Sequence, residues 1–319
     1  MNKAVAVRAL PTDKSRSKGA GRIIKRFGKE WPLHVLLIPA FVITLIFSYG
    51  PMYGLIMAFQ DFSPARGFSG SPFIGLENFR FIFSQPAFVR TIYNTLFISL
   101  SKIALSTIAS VMFALLLNEI GNVFFKRFFQ TIVYIPHFIS WVIMAGILQT
   151  ILASDGIVNN VIIAMGGTRV PFLASPVIFP WTMIISDVWK GFGFGTIVYL
   201  AAITSIDPEL YESAVIDGAG RLKQTLHITL PLLGPIIVLM VTLALGNVFS
   251  AGFDQIFNLY SPAVFSTGDI IDTYIYRLGL INGRFAIGAA VGLFRSVVSL
   301  VMMTVSLYTA YKIANYKIF

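Results

Sequence analysis

The feature that most constrains this chain is the recurrence of apolar stretches long enough to cross a lipid bilayer. Roughly twenty apolar residues cover the hydrocarbon core as a helix. Six stretches meet that length: 33–59, 91–118, 129–152, 177–204, 230–251 and 286–310. Backbone inside lipid must satisfy its own hydrogen bonds, and helices do so within one segment. The expected fold class is therefore an all-α integral membrane protein with six transmembrane helices. With 56% hydrophobic and 12% charged residues, the chain lies far from soluble composition. Pro39, Gly50 and Pro51 fall in the first stretch and Pro136 in the third. A proline inside a span frees a carbonyl that neighbours must satisfy, so Pro51 and Pro136 are expected at packed, internal positions.

The basic residues set an orientation. Residues 1–30 hold nine Lys or Arg against Asp13 and Glu30, with no cleavage-site pattern. They read as a retained cytoplasmic arm preceding a transmembrane domain at 31–319. Ile23, Ile24, Phe27 and Trp31 share one helical face while Arg22, Lys25, Arg26 and Lys29 share another, an interfacial foot for an anionic leaflet. A disordered tail obeying the same charge rule accounts equally well for the first twenty residues. Together with Lys126, Arg127, Arg221, Lys223, Lys312 and Lys317, the arm brings one side of the membrane to 15 cations. The other side holds only Arg66, Arg80, Arg90, Arg169, Arg277 and Arg284. Both termini and the 211–231 segment are therefore expected in the cytoplasm, and the +10 net charge is assigned to this asymmetry rather than to nucleic acid.

Enzyme chemistry has little to build on. There is no cysteine, and His34, His137 and His227 are scattered without ligand spacing. GxSxG, HExxH and Walker A sequences are absent. No catalytic residue, metal ligand or cofactor site is expected.

Between the fourth and fifth stretches lies a polar interlude, YESAVIDGAGRLKQTLHITLP at 211–231. Asp207 suits a helix cap, Pro208 the first helical position, and Glu209 and Glu212 the positive end of the dipole. Gly218 permits a bend. Leu222, Leu226, Ile228 and Leu230 then predict a second amphipathic piece that stops at Pro231.

This segment resembles the EAA motif, the cytoplasmic coupling loop of permease subunits in binding-protein-dependent ABC importers. The family pattern is Glu-Ala-Ala, three residues, Gly, nine residues, Ile, one residue, Leu-Pro. Glu212, Ala214, Gly218, Ile228, Leu230 and Pro231 match at the family spacing, and Ser213 replaces the first Ala. The likeness continues through ALLLNEI (114–120), YIPHFIS (134–140), YLAAIT (199–204) and DTYIY (272–276), which resemble the oligosaccharide branch, including importers of alginate and pectin-derived oligosaccharides.

The resemblance implies a bacterial plasma-membrane subunit that carries no nucleotide site. Its coupling loop, Glu212, Ser213, Ala214, Asp217, Gly218, Ala219, Ile228, Leu230 and Pro231, would sit in a groove on an ABC ATPase. Glu212 would supply a carboxylate, Ala214 close approach, Gly218 the turn, and Pro231 the start of the fifth span. The implied partners are two ATPase subunits, a second, non-identical permease, an extracytoplasmic solute-binding protein, and a sugar as the substrate. The Gly-, Pro- and aromatic-rich outer loops at 60–90 and 251–285 suit docking of that binding protein, although interfacial anchoring explains many of the same aromatics.

Lys102, Asp187, Lys190 and Arg295 are the charges lying well inside spans, where each costs several kcal/mol, roughly 2.5 to 3.5 on insertion scales. Two arrangements are open. Asp187 and Lys190, three apart, pair on one helix and leave Lys102 and Arg295 without an acidic partner in this chain. Alternatively the cations line a pathway with Trp189 and Phe192 as flat surfaces for sugar rings, which favours an acidic oligosaccharide unless a partner permease supplies carboxylates that neutralise them. The competing class is an ATP-independent secondary transporter or channel, for which only Asp187 offers an intramembrane coupling group.

Overall fold

The computed structural model describes residues 19–314, and the side chains of residues 31–312. Most of the basic arm and Lys317 lie outside the described residues, as do the side chains of the proposed interfacial foot up to residue 30. The described residues fall into two compact units, divided between Leu55 and Ile56.

In the first unit, α1 (Gly19–Thr44) carries Pro32 and Pro39 within it. The helix widens to a π segment at Leu45–Tyr49 and then tightens to a 3-10 segment from Gly50. Pro51 has no N–H to give and its ring crowds the preceding turn, which accounts for the change of winding. Pro51 is exposed rather than internal.

The second unit is built from helices with identifiable starts and stops. Helix α2 (Pro86–Glu119) begins with proline at its first position and runs 34 residues. Asn122 caps α3 (Val123–Phe138), accepting from Phe124 N at 2.9 Å and Phe125 N at 3.4 Å. Ser140 caps α4 (Trp141–Ile151) by accepting from Ile143 N at 3.4 Å. The span expected at 129–152, with a kinking proline inside it, is thus two helices, bent by 103°. Pro136 removes a hydrogen bond just where Ser140 offers a new start, so the ladder breaks between them. Pro136 itself is half-buried.

After a short helix at Ile157–Ala164 comes α5 (Phe179–Thr204), then α6 (Pro208–Ile216). A continuous helix, α7 (Arg221–Leu245), succeeds them. The expected stop at Pro231 does not occur. A π segment at Thr225–Thr229 widens the preceding turn, and the helix runs through Pro231 to Leu245. Helix α8 (Phe253–Leu259) and α9 (Ile271–Ile275) fold between α7 and α10 (Phe285–Ala314).

Among the described residues, four helices are long and apolar enough to cross a membrane, or five if the bent α3–α4 pair counts as one span. The 26-residue α5 has the length, but Asp187, Lys190, Gly191, Gly193 and Gly195 dilute its apolar character. Helices α2 and α5 form the most extensive helix pair. Gly193 brings α5 against α3, because a Cβ there would lie 2.4 Å from the Val133 carbonyl oxygen. Small residues at such crossings let helices approach closely where lipid provides no hydrophobic drive.

Two packed layers punctuate the α2–α5 pair. One joins Ile98, Met144, Phe179, Met183, Ile184 and Ile256. The other joins Val111, Ala114, Leu117, Tyr199, Ile203 and Leu233. Between them the residues become polar, and that gap is where the site lies.

Candidate functional site

On α2, Ser99, Lys102, Ile103, Ser106, Thr107 and Ser110 recur at three- and four-residue spacing and share one face. They line a cavity of about 360 Å³ together with Asp187, Gly195 and Tyr199 of α5, Met240 and Ala244 of α7, and Asn247 with 250–252 beyond it. The hydroxyl stripe on α2 was legible as a period, yet the charged residues drew the reading instead. Ser99 is buried, and its hydroxyl has no hydrogen-bond partner among the described residues.

Lys102 is buried at the wall of this cavity. Its ammonium donates to the Ala251 carbonyl at 2.8 Å and to Gln255 Oε1, and lies 3.4 Å from Asp187 Oδ1. Gln255 is oriented in turn by donating to the Met183 carbonyl at 2.8 Å and Ser186 Oγ at 2.9 Å. One cation therefore holds α2, α5 and the start of α8 together, with Asp187 open to the cavity over a third of its side chain.

The other residues singled out from the sequence sit elsewhere. Asp187 and Lys190 do not pair. Lys190 is buried, donates to the His137 carbonyl at 2.9 Å and lies over the Trp141 ring at 5.2 Å. Arg295 has an acidic partner within the chain after all, Asp272 Oδ1 at 2.6 Å. That carboxylate was missed because it lies in the outer segment and reaches α10 only when the chain folds back. Phe192 packs edge-on against Phe113 at 5.4 Å, and Trp189 is half exposed on α5. Of the six residues, Lys102 and Asp187 line the cavity, while Trp189, Lys190, Phe192 and Arg295 do not.

The 211–231 segment is a helix–turn–helix. Asp207 caps α6 by accepting from Glu209 N at 3.0 Å. Gly218 takes φ +78°, and the turn closes with Ala219 N donating to the Ala214 carbonyl at 2.8 Å and Gly218 N to Val215 at 3.0 Å, a Schellman arrangement. Glu212, Ser213, Asp217 and Gly218 are exposed, while Ala214 and Ala219 are half-buried. Ile228 is half-buried, and Leu230 and Pro231 are exposed on α7. Val215, Ile216 and Leu222 are left 62%, 85% and 73% exposed, an apolar surface at a polar turn. Tyr211 and Thr229 hydroxyls meet at 2.9 Å, and Arg221 pairs with Glu119 at the end of α2. Among the described residues there is no cluster of three or more His, Cys, Asp or Glu that could hold a metal ion.

Residues 106–313 match the family model described as "binding-protein-dependent transport system inner membrane component". The polygalacturonan/rhamnogalacturonan transport system permease protein YteP of Bacillus subtilis is 38% identical over 94% of this chain and 93% of its own. The arabinooligosaccharides permease AraP of the same organism is 27% identical over 88% of this chain and 89% of its own. A chain in the crystal structure of a bacterial ABC transporter for import of the acidic polysaccharide alginate superposes with TM-score 0.85 at 41% identity, covering 92% of this chain and 99% of that one. A second structure of a bacterial alginate ABC transporter, in complex with an alginate pentasaccharide-bound periplasmic protein, gives TM-score 0.84, again at 41% identity, covering 92% of this chain and 98% of that one.

Proposed function

The chain belongs to the binding-protein-dependent transport system inner membrane component family, and from that premise we propose that it is the permease subunit of an ATP-driven importer that passes oligosaccharide to the cytoplasm. It is a transport subunit rather than an enzyme, and ATP is hydrolysed by separate ATPase subunits. The observation that carries this reading is the α6–Gly218–α7 turn, whose apolar residues Val215, Ile216 and Leu222 remain largely exposed among the described residues. In this reading the turn is the coupling loop. Glu212, Ser213, Ala214, Asp217, Gly218 and Ala219 face the ATPase, while Ile228, Leu230 and Pro231 set the base of the following span.

The six spans are Trp31–Phe59, α2, the bent α3–α4 pair, α5, α7 and α10, with the loop between the fourth and fifth. Both termini are cytoplasmic, a reading supported by the Lys and Arg asymmetry. Because one copy offers one loop, a second permease and two ATPases complete the importer, and a loaded binding protein docks on the outer face. Rocking of the spans opens the Lys102 cavity to one side and then the other.

Because the chain has no cysteine, single cysteines report its topology cleanly. Ser213→Cys reacts only from the cytoplasmic side, whereas Ser69→Cys, Thr168→Cys and Ser266→Cys, all exposed, react from outside in intact cells. Labelling of position 213 from outside reverses the orientation and removes the coupling argument.

The likeness to the polygalacturonan/rhamnogalacturonan permease and to the alginate importer supports an acidic oligosaccharide as the cargo, and the hydroxyl stripe with the unpartnered Ser99 hydroxyl offers it hydrogen-bonding groups. Lys102 neutralises Asp187, whose carboxylate would otherwise repel an anionic sugar across the cavity. The test uses the assembled importer in proteoliposomes with uronate-containing and neutral oligosaccharides of equal length. Uptake requires ATP. Lys102→Gln lowers uronate uptake several-fold more than neutral uptake, and Arg295→Gln, outside the cavity, affects both alike. Uptake without ATP overturns the importer reading in favour of a secondary transporter. Equal effects of Lys102→Gln on both sugars remove the acidic substrate.

A further inference from the structure

Two charges at the inner end of the bundle are placed against the local field. Glu119 is the last residue of α2, where a helix presents its negative end. Arg221 is the first residue of α7, where a helix presents its positive end. Each is on its own the wrong sign for its position, and each gains by meeting the other, Arg221 Nη1 to Glu119 Oε2 at 2.5 Å. Their side chains remain 79% and 42% exposed, so an isolated pair of this kind adds little to stability. Helix-end chemistry therefore argues against both residues, and the contact between them is what makes the combination favourable.

The contact joins α2 and α7, two of the three helices that wall the cavity. Helix α6 is tied to α7 through Tyr211 and Thr229, and α7 is tied to α2 by this ion pair at the loop and, further along, by Leu233 in one packed layer with Ala114 and Leu117. Helix α2 is unbroken from Glu119 back to Lys102, a rod of about 25 Å at about 1.5 Å per residue. It supplies the hydroxyl stripe, while α7 and the residues after it supply the facing wall.

We infer that the Glu119–Arg221 ion pair is the link that carries movement of the 211–231 loop into α2, so that α2 and α7 move together around the cavity with the coupling stroke. Glu119 and Arg221 are positioning residues in this scheme. The inference rests on the permease reading above.

The test is a charge exchange in the reconstituted importer with loaded binding protein and ATP. Glu119→Arg and Arg221→Glu each lower uptake per ATP hydrolysed by roughly two- to fivefold, the range open to an exposed pair, with the ATPase subunits still bound. Glu119→Arg combined with Arg221→Glu restores the wild-type ratio. A structural role predicts otherwise, because Arg221→Glu improves the helix start and would be tolerated. Single variants with wild-type coupling, or a double variant no better than the singles, overturn the inference while leaving ATP-driven wild-type uptake in place. Wild-type uptake that needs no ATP removes the permease reading and this inference with it.

Discussion

Gly218→Val and Glu212→Lys each reduce ATP-driven uptake by more than about tenfold while the protein remains inserted in the membrane. Gly218 sits at φ +78°, and nothing lies within 4 Å of where a Cβ would be. The penalty at this position is therefore conformational, not a clash, and a β-branched residue there is strained by roughly 1–2 kcal/mol or more. Valine relieves that strain by opening the turn closed by the Ala219–Ala214 and Gly218–Val215 hydrogen bonds. Asparagine tolerates the left-handed region, so Gly218→Asn keeps most of the activity. Glu212→Lys acts differently, placing a cation where an exposed carboxylate faces the ATPase in the proposed assembly. Co-purification of the ATPase subunits, together with ATP turnover stimulated by loaded binding protein, separates lost docking from lost coupling. Normal import by both the valine and the lysine variants would falsify the coupling-loop reading.

Asp187→Asn is expected to lower the stability of the purified protein by about 3 kcal/mol, toward the low end of what breaking a buried pair costs. Lys102 keeps only neutral acceptors, the Ala251 carbonyl and Gln255, around a buried ammonium. The low end applies because the cavity leaves Asp187 a third exposed, and water there offsets part of the loss. Lys102→Met costs less, since the carboxylate it abandons can hydrate through the cavity. The combined Lys102→Met/Asp187→Asn change costs less than the sum of the two, as expected for groups in contact. Thermal or denaturant unfolding in detergent reads all three. Additive losses, or an Asp187→Asn protein as stable as the parent, would make this pair incidental to the bundle.

Membrane residence, helical class and the transport function were all determined by the sequence taken alone. The first two depend on apolar length summed over a segment, and the third on the resemblance of motif residues at fixed spacing to a permease family. The α6 cap at Asp207 and the turn at Gly218 were equally legible, because caps and left-handed turns are decided by residues within one helical turn of each other. Proline was read less well. Pro231 looked like a stop and Pro136 like a kink, yet a π segment carries the helix through the first, and the chain turns by 103° after the second. A proline removes a hydrogen bond in either case, and whether the helix rewinds or breaks is set by its neighbours along the chain, here Ser140 with its cap. The charge partners belonged to tertiary structure alone. Lys102 finds Asp187, Arg295 finds Asp272, and Arg221 finds Glu119 102 positions away. Local spacing favoured Asp187 with Lys190, a gain of only a few tenths of a kcal/mol on a helix surface. Packing of α2 along α5 brought Lys102 to the same carboxylate in a drier place, and there the stronger interaction won.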